Sequence, residues 1–495
     1  MPLLCGQPLG IPMTLTRSTS FFGLCVVSLL IQTSSAIAAY QSALNLPNIL
    51  FILSDDHSVP YLGCYGNPDL KTPNLDKMAA EGAMFQRAYT TAPQCQPSRA
   101  GIVSGRSTVD IRMTRFSAPL PRDIITFPEV LRDNGYYTGI CGGRSYHLDG
   151  AKGRPAITTE TFDKYNLQTF SHRVDYVKQG KEADVLNLFQ EFLSQVPAGK
   201  PFFTWVNFFD PHRGFTATDY EPDPDTITLP TGFPDTKLVR KDLAGHYGEI
   251  QRLDESVGLL LDELENRGEL DNTVIVFMGD NGAALFRGKG TLFETGLNVP
   301  LIVRFPEKVK AGAVYQELIS GEDIAPTLLD FAGLNPLPEM TGKTFKPLME
   351  GNDYDGHRYV FAERGPHGSK LPTSTRYFDL SRCIIGERYK LIYRTLWQLP
   401  FVPVDFVTQP MWIELQQMSL DGELEEPWNS LYFSPQRPMF DLYDLEKDPH
   451  ELNNLAGHVE FAKIEEEFKE ALQEWMILNQ DYLPLPVPPS YKRKP

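Results

Sequence analysis

Three apolar, β-rich runs, each ending in a polar cluster, constrain the fold of this chain more than any other feature. Asn48 to Leu53 runs into Ser54-Asp55-Asp56-His57, Phe202 to Phe209 into Asp210-Pro211-His212-Arg213, and Thr273 to Met278 into Gly279-Asp280-Asn281-Gly282. Apolar runs without alternation predict strands buried on both faces, as in a parallel-type sheet covered by helices. In such sheets ligands sit beyond the carboxyl ends of the strands. The three clusters are therefore expected to converge on one site.

Helices are expected between these runs. Thr72-Pro73 reads as a capping residue followed by proline at the first helical position, with Gly82 as a stop after Leu75, Met78 and Ala79. Leu243, Tyr247, Ile250, Leu253, Val257, Leu260 and Leu264 recur at three- and four-residue spacing and predict a longer helix ending at Gly268. His246 within it reads as a solvated or packed side chain. Beyond about Gly351 the chain becomes rich in proline, aromatics and turn residues. Arg388 to Tyr393 and Met439 to Asp444 read as strands, and Phe461, Ile464, Phe468, Leu472 and Trp475 as the packed stripe of a helix. This predicts a small α+β domain with an antiparallel sheet after the large α/β one. The proline-rich tail from Leu483 to Pro489 reads as extended and unpacked.

With 495 residues, 42% hydrophobic and 22% charged, the composition is that of an ordinary globular protein. A formal charge of −17 argues against nucleic acid or an anionic membrane as partner, so an anionic substrate would need a local cationic pocket. Arg17, the apolar run Phe21 to Leu30 and Ala36-Ile37-Ala38 predict a signal peptide over residues 1–38, with Met13 as an alternative start. No other stretch is long and apolar enough to span a bilayer, so a secreted or periplasmic protein is expected. The absence of an N-x-[ST] sequon favours a bacterial one. Cleavage leaves Cys64, Cys95, Cys141 and Cys383, which allow one bridge and require none.

The chemistry is carried by Cys95-Gln96-Pro97-Ser98-Arg99-Ala100-Gly101-Ile102-Val103-Ser104-Gly105-Arg106. This window resembles the signature of type I sulfatases of the alkaline phosphatase superfamily, C-x-P-S-R followed by small residues and [ST]-G-R, in which a maturation enzyme oxidises the cysteine to formylglycine. Read alone, Asp55-Asp56 is a turn or a cap, or else a pair of hard oxygen ligands. The resemblance implies that Asp55, Asp56, Asp280 and Asn281, together with the modified Cys95, hold a divalent cation, Ca²⁺ with Mg²⁺ as the alternative. It also implies that the hydrated aldehyde attacks sulfur with one hydroxyl and expels sulfate through the second.

Other roles follow from the same resemblance. Lys289, in Gly288-Lys289-Gly290-Thr291-Leu292-Phe293-Glu294, would contact sulfate and share protonation of the leaving group with His212, Arg99 would steady the modified residue, and His147 would be the base for the second hydroxyl. Without the family, Lys289 is a loop lysine and His212 a structural histidine. Many relatives carry a G-K-x-H block where this chain has Gly142-Gly143-Arg144-Ser145-Tyr146-His147. Arg144 is either a substitute sulfate-binding cation or an exposed arginine.

The resemblance covers almost all of the mature chain. It implies a catalytic domain over 39–375 built on a mixed central sheet flanked by helices, and a C-terminal subdomain over 376–495. Asp210-Pro211-His212-Arg213 and the string from Asp242-Leu243-Ala244 through Arg252 to Gly258 look most like the heparan N-sulfatase branch. The expected activity is hydrolysis of sulfate esters or sulfamates of carbohydrates, on monosaccharides or chain ends. A phosphodiesterase or phosphonate monoester hydrolase, and a silent glycan-binding protein, are the alternatives. Glu363 and His367 either read the sugar or are exposed polar residues.

Overall fold

The computed structural model describes residues 46–115, 119–143, 147–149, 155–367, 375–483 and 485, with the side chains of 155–159 excepted. The segment expected to be a signal peptide, Arg144 and most of the proline-rich tail lie outside the described residues. In chain order the first strands are β1 (Asn48–Ser54), β2 (Ala83–Phe85), β3 (Ala88–Tyr89), β4 (Tyr137–Gly142), β5 (Tyr176–Gln179), β6 (Phe202–Asn207) and β7 (Thr273–Gly279). They are followed by β8 (Leu301–Arg304), β9 (Ala313–Tyr315), β10 (Ile319–Ser320), β11 (Val360–Arg364), β12 (Ser381–Ile385), β13 (Tyr389–Arg394) and β14 (Phe440–Asp444).

The central sheet has the order β5-β4-β6-β1-β7-β8-β2-β9. Only β8 runs against the others, which makes it the expected mixed sheet. The three apolar runs are its adjacent centre strands β6, β1 and β7, and every residue of the three is buried. At about 1.5–3 kcal/mol for each fully buried large apolar side chain, these strands anchor the domain. Their register also sets up the site: Leu53 pairs with Asn207 and Ser54 with Gly279, so Asp55 and Asp280 leave the sheet side by side.

Leu243, Ile250, Leu253, Val257, Leu260 and Leu264 form the buried stripe of the helix Lys237–Asn266, and Gly268 closes it with φ of +70°. His246 is buried, edge-on to Tyr61, so the packed alternative holds. The helix Pro73–Glu81 has Thr72 at its start, but the Thr72 hydroxyl makes no cap and donates instead to Asp76. The acceptor for the first amides is Asp254 of the long helix, 2.8 Å from the Leu75 nitrogen and 3.2 Å from that of Asn74.

A second sheet, β11-β12-β13-β14, is antiparallel throughout. The helix Ala462–Leu478 covers one face with Phe468, Leu472 and Met476. All four cysteines after residue 45 are free. No described helix is long and apolar enough to cross a membrane.

Candidate active site

Cys95 opens the helix Cys95–Ser104, every residue of which is buried. Gly101 faces Thr91 so closely that a Cβ there would come within 2.5 Å of the Thr91 hydroxyl, and Gly105 takes the left-handed turn at φ +65° that ends the helix. The small-residue part of the motif thus lets this helix pack beneath the carboxyl ends of the strands. Thr90 donates to the Ser98 hydroxyl at 2.6 Å, and Ser98 in turn donates to the backbone carbonyl of Asp280. The first turn is thereby fastened to the end of β7.

Cys95 Sγ lies 3.1 Å from Asp55 Oδ1 and 3.8 Å from Asp56 Oδ1. One candidate ligand atom from each of Asp55, Asp56, Cys95 and Asp280 falls within 4.8 Å of all the others. Asp280 Oδ1 accepts from the Asp56 nitrogen at 3.0 Å, and Asn281 Nδ2 donates to Asp56 Oδ1 at 2.9 Å. Asn281 Oδ1 is buried with no hydrogen-bond partner among the described residues. Burial, and then the neighbouring Asp55 carboxylate, raise Asp280 to about 6 despite Arg99. Three crowded carboxylates and an orphaned amide oxygen fit the hard-oxygen donor set of Ca²⁺ or Mg²⁺.

Arg99 is fully buried and divides its guanidinium among three groups. Its Nε is 2.9 Å from Asp280 Oδ2, one terminal nitrogen is 2.7 Å from Asn207 Oδ1, and the other is 2.8 Å from Asp280 and 3.3 Å from Asp55. Arginine suits this position because its planar fork serves several acceptors at once. Asn207, the last residue of β6, is a participant that the sequence hid inside an apolar run.

Lys289 is no exposed loop lysine. Its Nζ is buried 2.8 Å from Asp56 Oδ1 and 2.8 Å from Asp405 Oδ2. Burial opposes its charge, yet Asp405 and then Asp56 hold its pKa well above the ordinary lysine range. His212 Nε2 approaches Asp56 at 3.7 Å and Asp405 at 3.8 Å, while its Nδ1 lies 2.9 Å from the Arg213 carbonyl and so carries the proton there. His147 Nε2 is 3.8 Å from Asp55 Oδ2, and its backbone holds φ of +61°. Cys95, Arg99, His147, His212 and Lys289 are thus brought together with Asp55, Asp56, Asp280 and Asn281.

Asp405 was not singled out in the sequence. It is a lone acid in Phe401-Val402-Pro403-Val404-Asp405-Phe406, with no motif around it, held at φ +66°. The flanks of His212 hold it in place. Arg252 grips Asp210 with two bonds of 2.8 and 2.7 Å, and Arg213 grips Asp242 at 2.8 and 2.6 Å, so both strings that drew the branch resemblance tie the His212 loop to the long helix.

Glu363 and His367 are placed differently from one another. His367 Nδ1 lies 2.8 Å from Gln94 Nε2, beside the start of the Cys95 helix. Burial lowers its pKa to about 3. Glu363 is fully buried in β11 and accepts from Thr108 at 3.2 Å, which removes the exposed reading and points its carboxyl into the packing instead.

Comparison with known proteins identifies the family. Residues 47–334 match the family model described as Sulfatase, and residues 282–399 match that described as N-sulphoglucosamine sulphohydrolase, C-terminal. An ulvan-active sulfatase of Formosa agariphila is 29% identical over 473 residues, covering 89% of this chain and 76% of that protein. The N-sulphoglucosamine sulphohydrolase of Homo sapiens is 26% identical over 475 residues, covering 88% of this chain and 90% of that protein. Among solved structures, one in complex with its substrate D-glucosamine-2-N,6-O-disulfate superposes with a TM-score of 0.66 at 21% identity, covering 89% of this chain and 99% of the other. The phosphonate monoester hydrolase of Agrobacterium radiobacter also superposes with a TM-score of 0.66, at 20% identity, covering 88% and 96%. The chain belongs to the sulfatase family and is a sulfuric ester hydrolase.

Proposed function

We propose that this protein hydrolyses sulfate esters or sulfamates of small or terminal sugars, using formylglycine at position 95 and a divalent cation, Ca²⁺ in the first instance. The observation that carries the reading is Cys95 Sγ at 3.1 Å from Asp55, at the start of a buried helix and inside an acidic cluster fit for a cation. Asp55, Asp56, Asp280 and Asn281 would hold that cation, which supplies positive charge against the sulfate oxygens when bound. Formylglycine at position 95 would supply, when hydrated, one hydroxyl for attack on sulfur and a second whose deprotonation expels sulfate and restores the aldehyde.

The chain's own side chains do the rest. Arg99 fixes the directions of Asp280 and Asp55. The Lys289 ammonium, kept charged by Asp405, binds a sulfate oxygen and with His212 delivers the proton to the leaving oxygen or nitrogen. His147 takes the proton of the second hydroxyl, and His367 contacts the sugar. The signal peptide would carry the chain to the periplasm or out of the cell, and a maturation enzyme would oxidise Cys95. The relatives named for ulvan, for N-sulphoglucosamine and for D-glucosamine-2-N,6-O-disulfate support a sulfated sugar as substrate.

The test is release of sulfate from glucosamine N-sulfate, glucosamine 6-sulfate and an aryl sulfate, set beside an aryl phosphonate monoester. The shared fold of the phosphonate monoester hydrolase makes hydrolysis of phosphonate monoesters the second reading. Preference for the phosphonate would replace the first reading with it.

A further inference from the structure

The segment that carries Lys289 continues as Gly290-Thr291-Leu292-Phe293, and these four residues line a cavity of about 450 Å³. No residue assigned above to the Cys95 site lines it. Its volume lies in the range of small-molecule sites. Strands β12, β13 and β14 form another wall, and the exposed Gln436 and Pro438 mark its mouth.

The charge inside is unbalanced. Arg287, Arg364, Arg394 and Arg437 line the cavity against only two acids, Asp379 and Asp441. Arg394 pairs with Asp441 and Arg437 with Asp379, which leaves Arg287 and Arg364. Neither of these makes an ion pair among the described residues, although both are at least nine-tenths buried. Arg364 donates to the carbonyls of Gly290 at 3.0 Å and Arg376 at 3.3 Å, and Arg287 donates to that of Glu451 at 2.6 Å. Carbonyls satisfy these donors, and the carboxylates that act on the two charges, Asp379 and Glu363 on Arg364 and Glu451 on Arg287, form no ion pair with them, so each buried charge is only partly offset.

Two further features set this cavity apart from a packing defect. Arg287 holds a left-handed backbone at φ +56°, a conformation that persists in a side-chain-bearing residue only where the surroundings impose it. Its guanidinium stacks 3.5 Å over the Phe293 ring. Phe401 and Tyr432 add flat apolar faces to the walls, and Ser434 and Asn454 add neutral polar groups. An anionic group on a body with both apolar and hydroxyl faces matches such a lining.

We propose that this cavity is a second, non-catalytic binding site for an oxyanion, a sulfate or carboxylate group carried on a small saccharide. The inference stands apart from the catalytic reading, since a chain without turnover would still bind there. Crystals of the full protein soaked in sodium selenate locate the anion by its anomalous signal, and titration calorimetry with sodium sulfate, glucose 6-sulfate and glucose distinguishes the sources.

Selenate is expected against Arg287 and Arg364, and glucose 6-sulfate is expected to displace it while glucose does not. If inorganic sulfate binds and glucose 6-sulfate fails to compete, the ligand is the free oxyanion. Arg287→Ala should weaken binding in the cavity at least about tenfold, the loss of one charge-assisted contact. Gln436→Glu, at the exposed mouth, should weaken it several-fold without disturbing the fold or the basal sulfatase rate. A cavity free of selenate, or anion binding that neither substitution alters, overturns the proposal.

Discussion

Asp405 Oδ2 lies 2.8 Å from Lys289 Nζ, so an acid from the loop after β13 completes the charge balance of a lysine that leaves the end of β7. Burial opposes ionisation of Asp405, but Lys289, followed by His367 and His212, holds its pKa well below the usual carboxylate range. Removing that carboxylate lowers the pKa of Lys289. Asp405→Asn should therefore slow turnover at least tenfold, about 1.4 kcal/mol of transition-state stabilisation, and move the alkaline limb of the kcat profile to lower pH. Asp405→Glu should restore part of both, and a variant with an unchanged profile would show that Asp56 alone holds Lys289.

Cation removal gives the second expectation. Asp55, Asp56 and Asp280 repel one another across a buried cluster, and Arg99 offsets only part of that charge. Exhaustive chelation should lower both activity and Tm, and Ca²⁺ or Mg²⁺ should restore them. Asp55→Ala should reproduce the loss of activity. A fully stripped enzyme with native activity and Tm would show that these residues are not ligands.

Glu363 ties stability to pH. Burial raises its pKa to about 7, with Arg382, Arg364 and the Thr108 hydroxyl opposing. Between the unfolded carboxyl value of about 4.3 and this folded value, the native state binds more protons than the unfolded one, so this group makes stability fall as pH rises through that window. The full effect is at most about 4 kcal/mol. Glu363→Gln should flatten the decline of unfolding free energy from pH 4.5 to 7, as read by urea titrations at a series of pH values. An unchanged slope would assign it to other groups.

Asp254→Ala removes the acceptor for the Asn74 and Leu75 amides and should cost about 1–2 kcal/mol of stability. The folded fraction should keep its KM and kcat, because Asp254 touches no residue of the site. Equal stability would mean that the Thr72 hydroxyl takes over the cap.

How far the sequence announced this structure depended on whether an interaction is local. The strands β1, β6 and β7 were legible because burial on both faces writes a continuous apolar run, and their carboxyl ends put Asp55, Asp56, His212, Asp280 and Asn281 on one edge. The cap of the helix Pro73–Glu81 was misread because Thr72-Pro73 is a local pattern, whereas the acceptor comes from Asp254, 180 residues from Asn74. Asp405 was invisible for the same reason: one acid in an apolar loop carries no periodicity, and only tertiary contact brings it to Lys289. Asn207 was read as part of a strand that in fact ends there, freeing its side chain to meet Arg99.

The central claim is that position 95 works as formylglycine. An unmodified thiol cannot present the two hydroxyls on one carbon that attack and release require. Mass spectrometry of the tryptic peptide Ala88 to Arg99 from active enzyme, with sulfate release measured on the same preparation, tests this directly. The aldehyde or its hydrate is expected at position 95, in proportion to the sulfatase rate, with no turnover from Cys95→Ala. A fully active preparation carrying only the thiol would contradict it.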